Sequence, residues 1–420
     1  MDTMHHKNGG SADILILGAG AAGLMAAFRA TAPQKGQAAP RVLVADANPL
    51  PGRKLSLAGG GMGNMTNLGV SVKDYVGQDP AFAASCLRRF PPKAVLGLMD
   101  ELGLAWEERD LGQIFGLQPA SRFAEALAER AIRQGARFCT RHKALEALKT
   151  QEGFLVRFDA EGQECSIASR CLLLATGSPA WPSCGATDAG LSFAAKLGHK
   201  FAPFRPALTP LILPEGHPMR GLTGVSADVG LTLGGRRLIR SLLFTHSGLS
   251  GPAALVASCC WRAGEPVILD FMPSASIREL LDQPEWRRAS LRPLLRRFLP
   301  NRLADILAEA VLHAMPGANP PERLAQWSRA QREILSDTVH RFAVFPEKTA
   351  GMARAEAAAG GVLTESVNPR TMESLLVPGL YLAGELLDIT GLLGGFNLHW
   401  ALASGAAAGD AMRRAALPPL

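Results

Sequence analysis

Asp13-Ile-Leu-Ile-Leu-Gly18-Ala-Gly20-Ala-Ala-Gly23-Leu24 joins an apolar run to a glycine turn near the start of the chain. Four consecutive apolar residues closed by glycine have the length and character of a strand buried on both faces. The glycines follow as GxGxxG, and an alanine-rich helix runs on to about Ala32. In that context each glycine has a purpose: Gly18 permits the tight turn, Gly20 lets backbone approach a pyrophosphate, and Gly23 lets helix and strand pack closely. The first helical turn, with Ala21 and Ala22, presents unpaired N–H groups and the positive end of the helix dipole to phosphate. A second apolar strand, Arg41 to Ala45, ends at Asp46. That carboxylate is placed to accept from both hydroxyls of a ribose, which favours FAD or NAD over NADP.

Three further segments extend the reading. Gly52-Arg-Lys-Leu-Ser-Leu-Ala-Gly-Gly-Gly-Met-Gly-Asn-Met-Thr-Asn67 is a glycine loop with two cations. Arg53 and Lys54 balance phosphate charge, Gly60 and Gly61 let backbone pass a flat ring, and Asn64, Thr66 and Asn67 offer hydrogen bonds; the alternative is a plain surface loop. Leu172-Leu-Leu-Ala-Thr176-Gly177 is a buried strand ending in Thr-Gly, a place for the adenosine half of a dinucleotide or an ordinary strand end. Gly384-Glu385-Leu-Leu-Asp388 precedes Gly394-Gly395-Phe396-Asn397, where a helix begins. Glu385 and Asp388 suit ribityl hydroxyls or phosphate-bound water. A helix N-terminus aimed at the N1/C2=O edge of a flavin favours its reduced, more negative form.

Between the third and fourth segments the texture changes. Short β-branched runs broken by Pro and Gly occupy 204–275, and 276–342 reads as helical. An apolar stripe there (Leu291, Leu294, Leu295, Phe298, Leu299) lies beside Arg292, Arg296 and Arg297. The expected organisation is a disordered leader (1–11), a first part of a nucleotide-binding domain (12–203), a β-rich insertion, a helical subdomain, and a return to the first domain (343–420). The stretch from Pro80 to Gly135 is expected to be mostly helical.

These motifs, in this order, resemble the NAD(P)/FAD-dependent oxidoreductases of the BaiN/YhiN type, a family with aminoacetone oxidase-like flavoenzymes and a bile-acid-intermediate reductase. Phe244-Thr-His-Ser-Gly-Leu-Ser-Gly-Pro252 and Asn368-Pro-Arg-Thr-Met-Glu-Ser-Leu-Leu-Val-Pro378 also resemble family segments. Many members carry Arg-Cys where this chain has Met62-Gly63. The resemblance implies an α/β, FAD-binding Rossmann-like (two-dinucleotide-binding-domain) fold with an inserted β-barrel-like domain and a small helical subdomain. It also implies FAD as the cofactor.

A single GxGxxG leaves no second Rossmann unit, so NAD(P)H is expected only as a transient electron donor. Hydride would pass through flavin N5 between NAD(P)H or an organic substrate and an acceptor, in an enone-type reductase or an amine oxidase-like enzyme. His246 and His399 are the catalytic candidates, each with a structural role as its rival.

The seven cysteines include no CxxC pair, so neither a disulfide framework nor a metal site is signalled. With no signal peptide and no apolar span of membrane length, the expected location is the cytoplasm. The net charge of +7 is scattered and aromatics make up only 6% of residues. That combination points to a small-molecule substrate, no membrane, and no nucleic-acid partner. Two alternatives remain: an FAD-binding redox sensor without turnover, and an RNA-linked flavoprotein. The latter's footprint would be Arg287, Arg288, Arg292, Arg296, Arg297 and Arg302.

Overall fold

The computed structural model describes residues 10–33, 39–233, 236–286, 288–316 and 320–416, apart from the side chain of Arg236. Most of the expected leader, 1–9, and Arg287 of the arginine footprint lie outside these residues. The chain divides into two compact units, one formed by 1–205 with 356–420 and the other by 206–355.

The first unit opens with strand β1 (Gly10–Leu17), helix α1 (Ala21–Ala30) and strand β2 (Val42–Ala45). Ile14, Leu15 and Ile16 are fully buried, as an apolar run in a parallel sheet must be when both faces are covered. Strand β3 (Asn64–Asn67) then meets β4 (Trp106–Arg109) and β5 (Gln113–Gly116) in a three-stranded antiparallel sheet ordered β3-β5-β4. The stretch 80–135 is mostly helical, as expected, with segments at Ala84–Arg89, Pro92–Glu101 and Ala120–Arg133, and this hairpin is the exception within it. Trp-Glu-Glu-Arg has no period-2 apolar signal because its residues are half-buried or exposed, so the hairpin is held by its pairing and turn. Helix α2 (Ala120–Arg133) keeps the amphipathic pattern, burying Phe123, Leu127 and Ala131.

Strands β6 (Arg137–Cys139), β7 (His142–Lys149), β8 (Phe154–Ala160) and β9 (Gln163–Leu174) complete the N-terminal share of the main sheet. Its order is β6-β2-β1-β9-β8-β7. The twelve-residue β9 serves two ladders. Its first half pairs antiparallel with β8, and from Ile167 onward it runs parallel to β1.

The second unit contains β10 (Leu211–Ile212), β11 (Ser226–Leu233), β12 (Arg236–Thr245), β13 (Gly248–Ser250), helix α3 (Gly251–Cys260) and β14 (Val267–Leu269). Helices α4 (Ile277–Asp282), α5 (Leu291–Phe298), α6 (Asn301–Ala314) and α7 (Arg329–His340) follow, then β15 (Phe342–Val344) and β16 (Lys348–Thr349). The antiparallel sheet is ordered β11-β12-β13-β10-β16. The predicted stripe on α5 buries Leu291, Leu294 and Leu295, with Leu299 just beyond, while Phe298 is exposed.

The chain returns to the first unit with β17 (Leu380–Leu382) and helix α8 (Phe396–Ala416). Leu172, Leu173 and Leu174 of β9 pair in parallel with Leu380, Tyr381 and Leu382. Through β9, segments more than 350 residues apart become near neighbours in one sheet. Helix α8 lies along α1 with no room for larger side chains. A Cβ on Gly409 would stand 2.5 Å from the Ala26 carbonyl oxygen and 2.9 Å from its Cα.

Candidate functional site

The parallel strands β2, β1, β9 and β17 end on the same side of the sheet. Their C-terminal ends carry Asp46, Gly18–Gly23, Thr176-Gly177 and Gly384-Glu385 respectively. Open α/β sheets bind ligands in the crevice beyond such ends. Gly18 has φ +101°, and a Cβ there would strike the Ala175 carbonyl. Asp46 fastens the glycine turn, its Oδ2 accepting from Ala19 N at 2.6 Å and its Oδ1 from Asn48 N at 2.7 Å. Helix α1 starts at Gly20, Ala21 and Ala22 with no side-chain cap and no acidic residue in its first turn. Its N–H groups therefore keep their affinity for an anion.

The glycine loop is bound to both flanks. Gly52 N donates to the Ala19 carbonyl at 2.8 Å. Lys54 Nζ reaches Glu385 Oε2 at 2.6 Å, and Glu385 Oε1 accepts from Ala358 N at 2.9 Å. The ion pair thus joins the loop to the end of β17. Arg53 is exposed, with Nη1 3.4 Å from Asn48 Oδ1. Gly60 and Gly177, at φ +68° and +73°, both face open space. Gly61 is partly exposed beside Gly60.

Strand β3 holds the polar residues of the loop. Asn64 Nδ2 donates to Gln113 Oε1 at 2.7 Å. Thr66 Oγ1 lies 2.6 Å from His399 Nδ1, and His399 Nε2 lies 3.0 Å from the Phe90 carbonyl. A carbonyl only accepts, so Nε2 carries the proton and Nδ1 accepts from the threonine hydroxyl. Burial pushes the His399 pKa down to about 4, so the ring is neutral and both nitrogens are engaged. Asn67 Nδ2 donates to Leu111 O at 3.0 Å and lies 3.3 Å from Gly394 O, while its Oδ1 accepts from Gly69 N at 2.9 Å.

The α8 segment is braced in the same way. Asn397 exchanges both amide bonds with Gly391, at 2.8 and 2.7 Å. Gly384 N donates to Ser404 Oγ and Gly384 O accepts from Trp400 Nε1, both at 3.0 Å. Asp388 Oδ2 accepts from Gln78 N at 2.8 Å. The Phe396 carbonyl accepts from Tyr75 Oη at 3.0 Å. A Cβ on Gly395 would stand 2.6 Å from Asn64 Oδ1, so the α8 turn and β3 are in close approach.

Two side-chain oxygens among the predicted binding residues, Asn64 Oδ1 and Thr176 Oγ1, are buried without a hydrogen-bond partner. An orphaned buried polar atom costs about 1–3 kcal/mol and calls for a ligand or water to satisfy it. With the uncapped α1 terminus and the uncrowded glycines, this set fits a flavin adenine dinucleotide. Sequence reasoning missed Tyr75, Gln113 and the Thr66–His399 pair, because their partners lie far away in sequence. It also missed the β4–β5 hairpin, whose one local signal was the turn chemistry of Asp110-Leu-Gly112.

His246 lies in the second unit, in the exposed turn between β12 and β13; Arg220 Nε donates to its carbonyl at 2.8 Å. The two candidate histidines are therefore on different units. The arginine stripe is largely engaged internally. Arg296 is bidentate to Asp305, Arg292 pairs with Asp305 and Glu309, and Arg302 donates to the carbonyls of Gly221 and Thr223. No helix among the described residues is long and apolar enough to cross a membrane.

Residues 12–411 match the family model described as HI0933-like protein Rossmann domain. A ribosomal RNA dihydrouridine synthase of Escherichia coli is 36% identical over 399 residues, covering 93% of this chain and 96% of that protein. A 3-dehydro-bile acid delta(4,6)-reductase of Clostridium scindens is 32% identical over 417 residues, covering 94% and 98%. Among solved structures, the 3-ketosteroid-delta4-(5alpha)-dehydrogenase of Rhodococcus jostii RHA1 shares the fold, with a TM-score of 0.53 at 17% identity and 98% of each chain covered. The exclusion of nucleic acid as a partner does not stand, since a full-length relative is an RNA-modifying enzyme. The aromatic count failed as an argument because it addresses surfaces that stack many bases; an enzyme that works on one base needs no such platform. The resemblance and the flavin-dependent redox class both hold: this chain belongs to the HI0933-like Rossmann-domain family and is an FAD-dependent oxidoreductase.

Proposed function

We propose that this protein reduces the C5=C6 bond of uridine in ribosomal RNA, with NAD(P)H as the electron donor. The observation that carries the reading is the end-to-end likeness to a ribosomal RNA dihydrouridine synthase. The second relative adds a chemical argument. A delta(4,6)-reductase of a 3-dehydro bile acid acts on carbon–carbon double bonds conjugated with a ketone. The C5=C6 bond of uracil is likewise conjugated with its C4 carbonyl. In each case hydride adds to a carbon made electrophilic by conjugation with the carbonyl (the β carbon of uracil or a 4-ene, the δ carbon of a 4,6-diene) and the resulting enolate takes a proton on carbon, which is enone-type reduction.

When bound, FAD supplies the two-electron chemistry linking NAD(P)H to that carbon. The chain's own residues bind and orient. Asp46 and the first turn of α1 would hold the adenosine ribose and pyrophosphate. Arg53 and the glycine loop at Gly60 and Gly61 flank the phosphates and ring. Lys54 and Glu385 lock that loop to β17, and Asp388 anchors the segment beside it. Asn64 Oδ1 and Thr176 Oγ1 are the free polar atoms that gain partners. The turn at Gly394, Gly395 and Phe396 opens α8, whose positive dipole end would stabilise negative charge on a flavin ring held beside it. His399, Thr66, Asn67 and Asn397 keep that turn in place from behind. The net charge of +7 favours approach to a polyanion.

The test uses ribosomal RNA from cells in which this gene is disrupted. Purified FAD-loaded protein and NADPH or NADH are added, and nucleosides are analysed by mass spectrometry. The expected result is a uridine that gains two hydrogens. Unchanged ribosomal RNA, alongside reduction of a 3-keto-4-ene steroid by the same preparation, would transfer the assignment to a small enone.

A further inference from the structure

The tip of the β4–β5 hairpin combines two features that rarely coincide. Leu111 is 67% exposed, the most exposed of the large hydrophobic side chains among the described residues. Its backbone also occupies the left-handed region, at φ +60° and ψ +26°. Leucine is disfavoured there, where Gly, Asn or Asp would sit without penalty and without exposing apolar surface. The arrangement is braced. Asn67 Nδ2 holds the Leu111 carbonyl at 3.0 Å, and Leu68 N donates to the Gly112 carbonyl at 2.8 Å.

The same Asn67 nitrogen lies 3.3 Å from the carbonyl of Gly394, in the turn that opens α8. One amide therefore ties the leucine tip to the turn assigned above to the flavin ring. Leu68, 44% exposed, adjoins the tip. Strained residues held by their surroundings cluster where a ligand is clamped, and an exposed apolar side chain at such a point needs an apolar partner.

Resting on the ribosomal RNA reading, that partner follows from the chemistry. The C5=C6 bond of a stacked uracil is out of reach, so the base must leave the stack. Proteins that open a stack insert an apolar side chain into it. We infer that Leu111 is a wedge that enters the RNA stack and holds the target uridine extruded beside the N-terminus of α8. It is a positioning residue and takes no part in bond making.

The test reads RNA conformation without turnover. Folded ribosomal RNA from the gene-disrupted cells is mixed with FAD-loaded protein, with no NAD(P)H, and probed by 2′-hydroxyl acylation. The wild type should raise acylation at the uridine that becomes dihydrouridine once NAD(P)H is added. Leu111→Ala and Leu111→Gly should each lose roughly tenfold of that enhancement, while Leu111→Met keeps it. Leu111→Gly relieves the backbone, so its loss would isolate the side chain, and its flavin spectrum should match the wild type. A wild-type acylation pattern in the Ala and Gly variants would overturn the wedge, as would a Met variant as defective as Gly. If the wild type forms no dihydrouridine at all, the functional reading itself fails. If it does and the variants keep the pattern, only the wedge fails.

Discussion

The neutral, doubly bonded His399 makes the first unit sensitive to acid. The ordinary histidine pKa is about 6.5, and burial brings this one down to about 4. A folded-state value below the unfolded one means that the unfolded chain binds the proton more readily. Stability is therefore fully present above about pH 6.5 and drains away as pH falls towards 4. Across the whole window the loss is about 3 kcal/mol, and by pH 5 it is already about 2 kcal/mol.

Structurally, protonation would place a second N–H on Nδ1, against the Thr66 hydroxyl, inside a cluster with no solvent to share the charge. The assay is urea unfolding of the apoprotein at pH 7 and pH 5, for wild type and for His399→Gln, which cannot titrate. Other carboxylates and histidines titrate identically in both proteins, so the difference between them isolates this residue. Wild type should lose about 2 kcal/mol more than the variant over that interval. Equal losses in the two proteins would mean that the His399 ring carries no acid-linked stability.

Two further outcomes follow from the packing of the first unit. Asn64→Ala removes the buried oxygen beside Gly395 and should weaken FAD binding about tenfold, read by flavin fluorescence quenching; unchanged affinity would mean that Oδ1 faces no ligand. Gly409→Ala should destabilise by about 1–3 kcal/mol in thermal unfolding, because overlap with Ala26 outweighs the roughly 1 kcal/mol that alanine normally gains over glycine within a helix. A raised melting temperature would show that α1 and α8 are less tightly fitted than described.

Much of the backbone of the candidate site was legible in the chain because the rules behind it are local. A buried strand, a glycine turn and a helix start within twelve residues can be read without knowing what lies nearby. The same holds for Asp46 at a strand end and for Gly394-Gly395 before a helix. Residue roles within the site were less legible. His399 reads from sequence as a possible acid or base, yet the fold surrounds it and engages both nitrogens. Glu385 reads as a free acceptor, yet Lys54 and Ala358 occupy its two oxygens. Trp-Glu-Glu-Arg gives no strand signal because its residues are half-buried or exposed, and it is held by pairing with Gln113–Gly116 across a tight turn.

Fold class and the glycine turns were readable from the chain alone, since these rest on backbone freedom and apolar run length within short windows. Which polar atoms are left unpaired and which are clasped emerged from the folded chain. It alone showed that β9 joins the two ends of the chain, and that Asn67 links a strained, exposed leucine to the turn before α8. Those facts depend on residues from 44 to more than 300 positions apart meeting within hydrogen-bonding distance, and no local pattern records such a meeting.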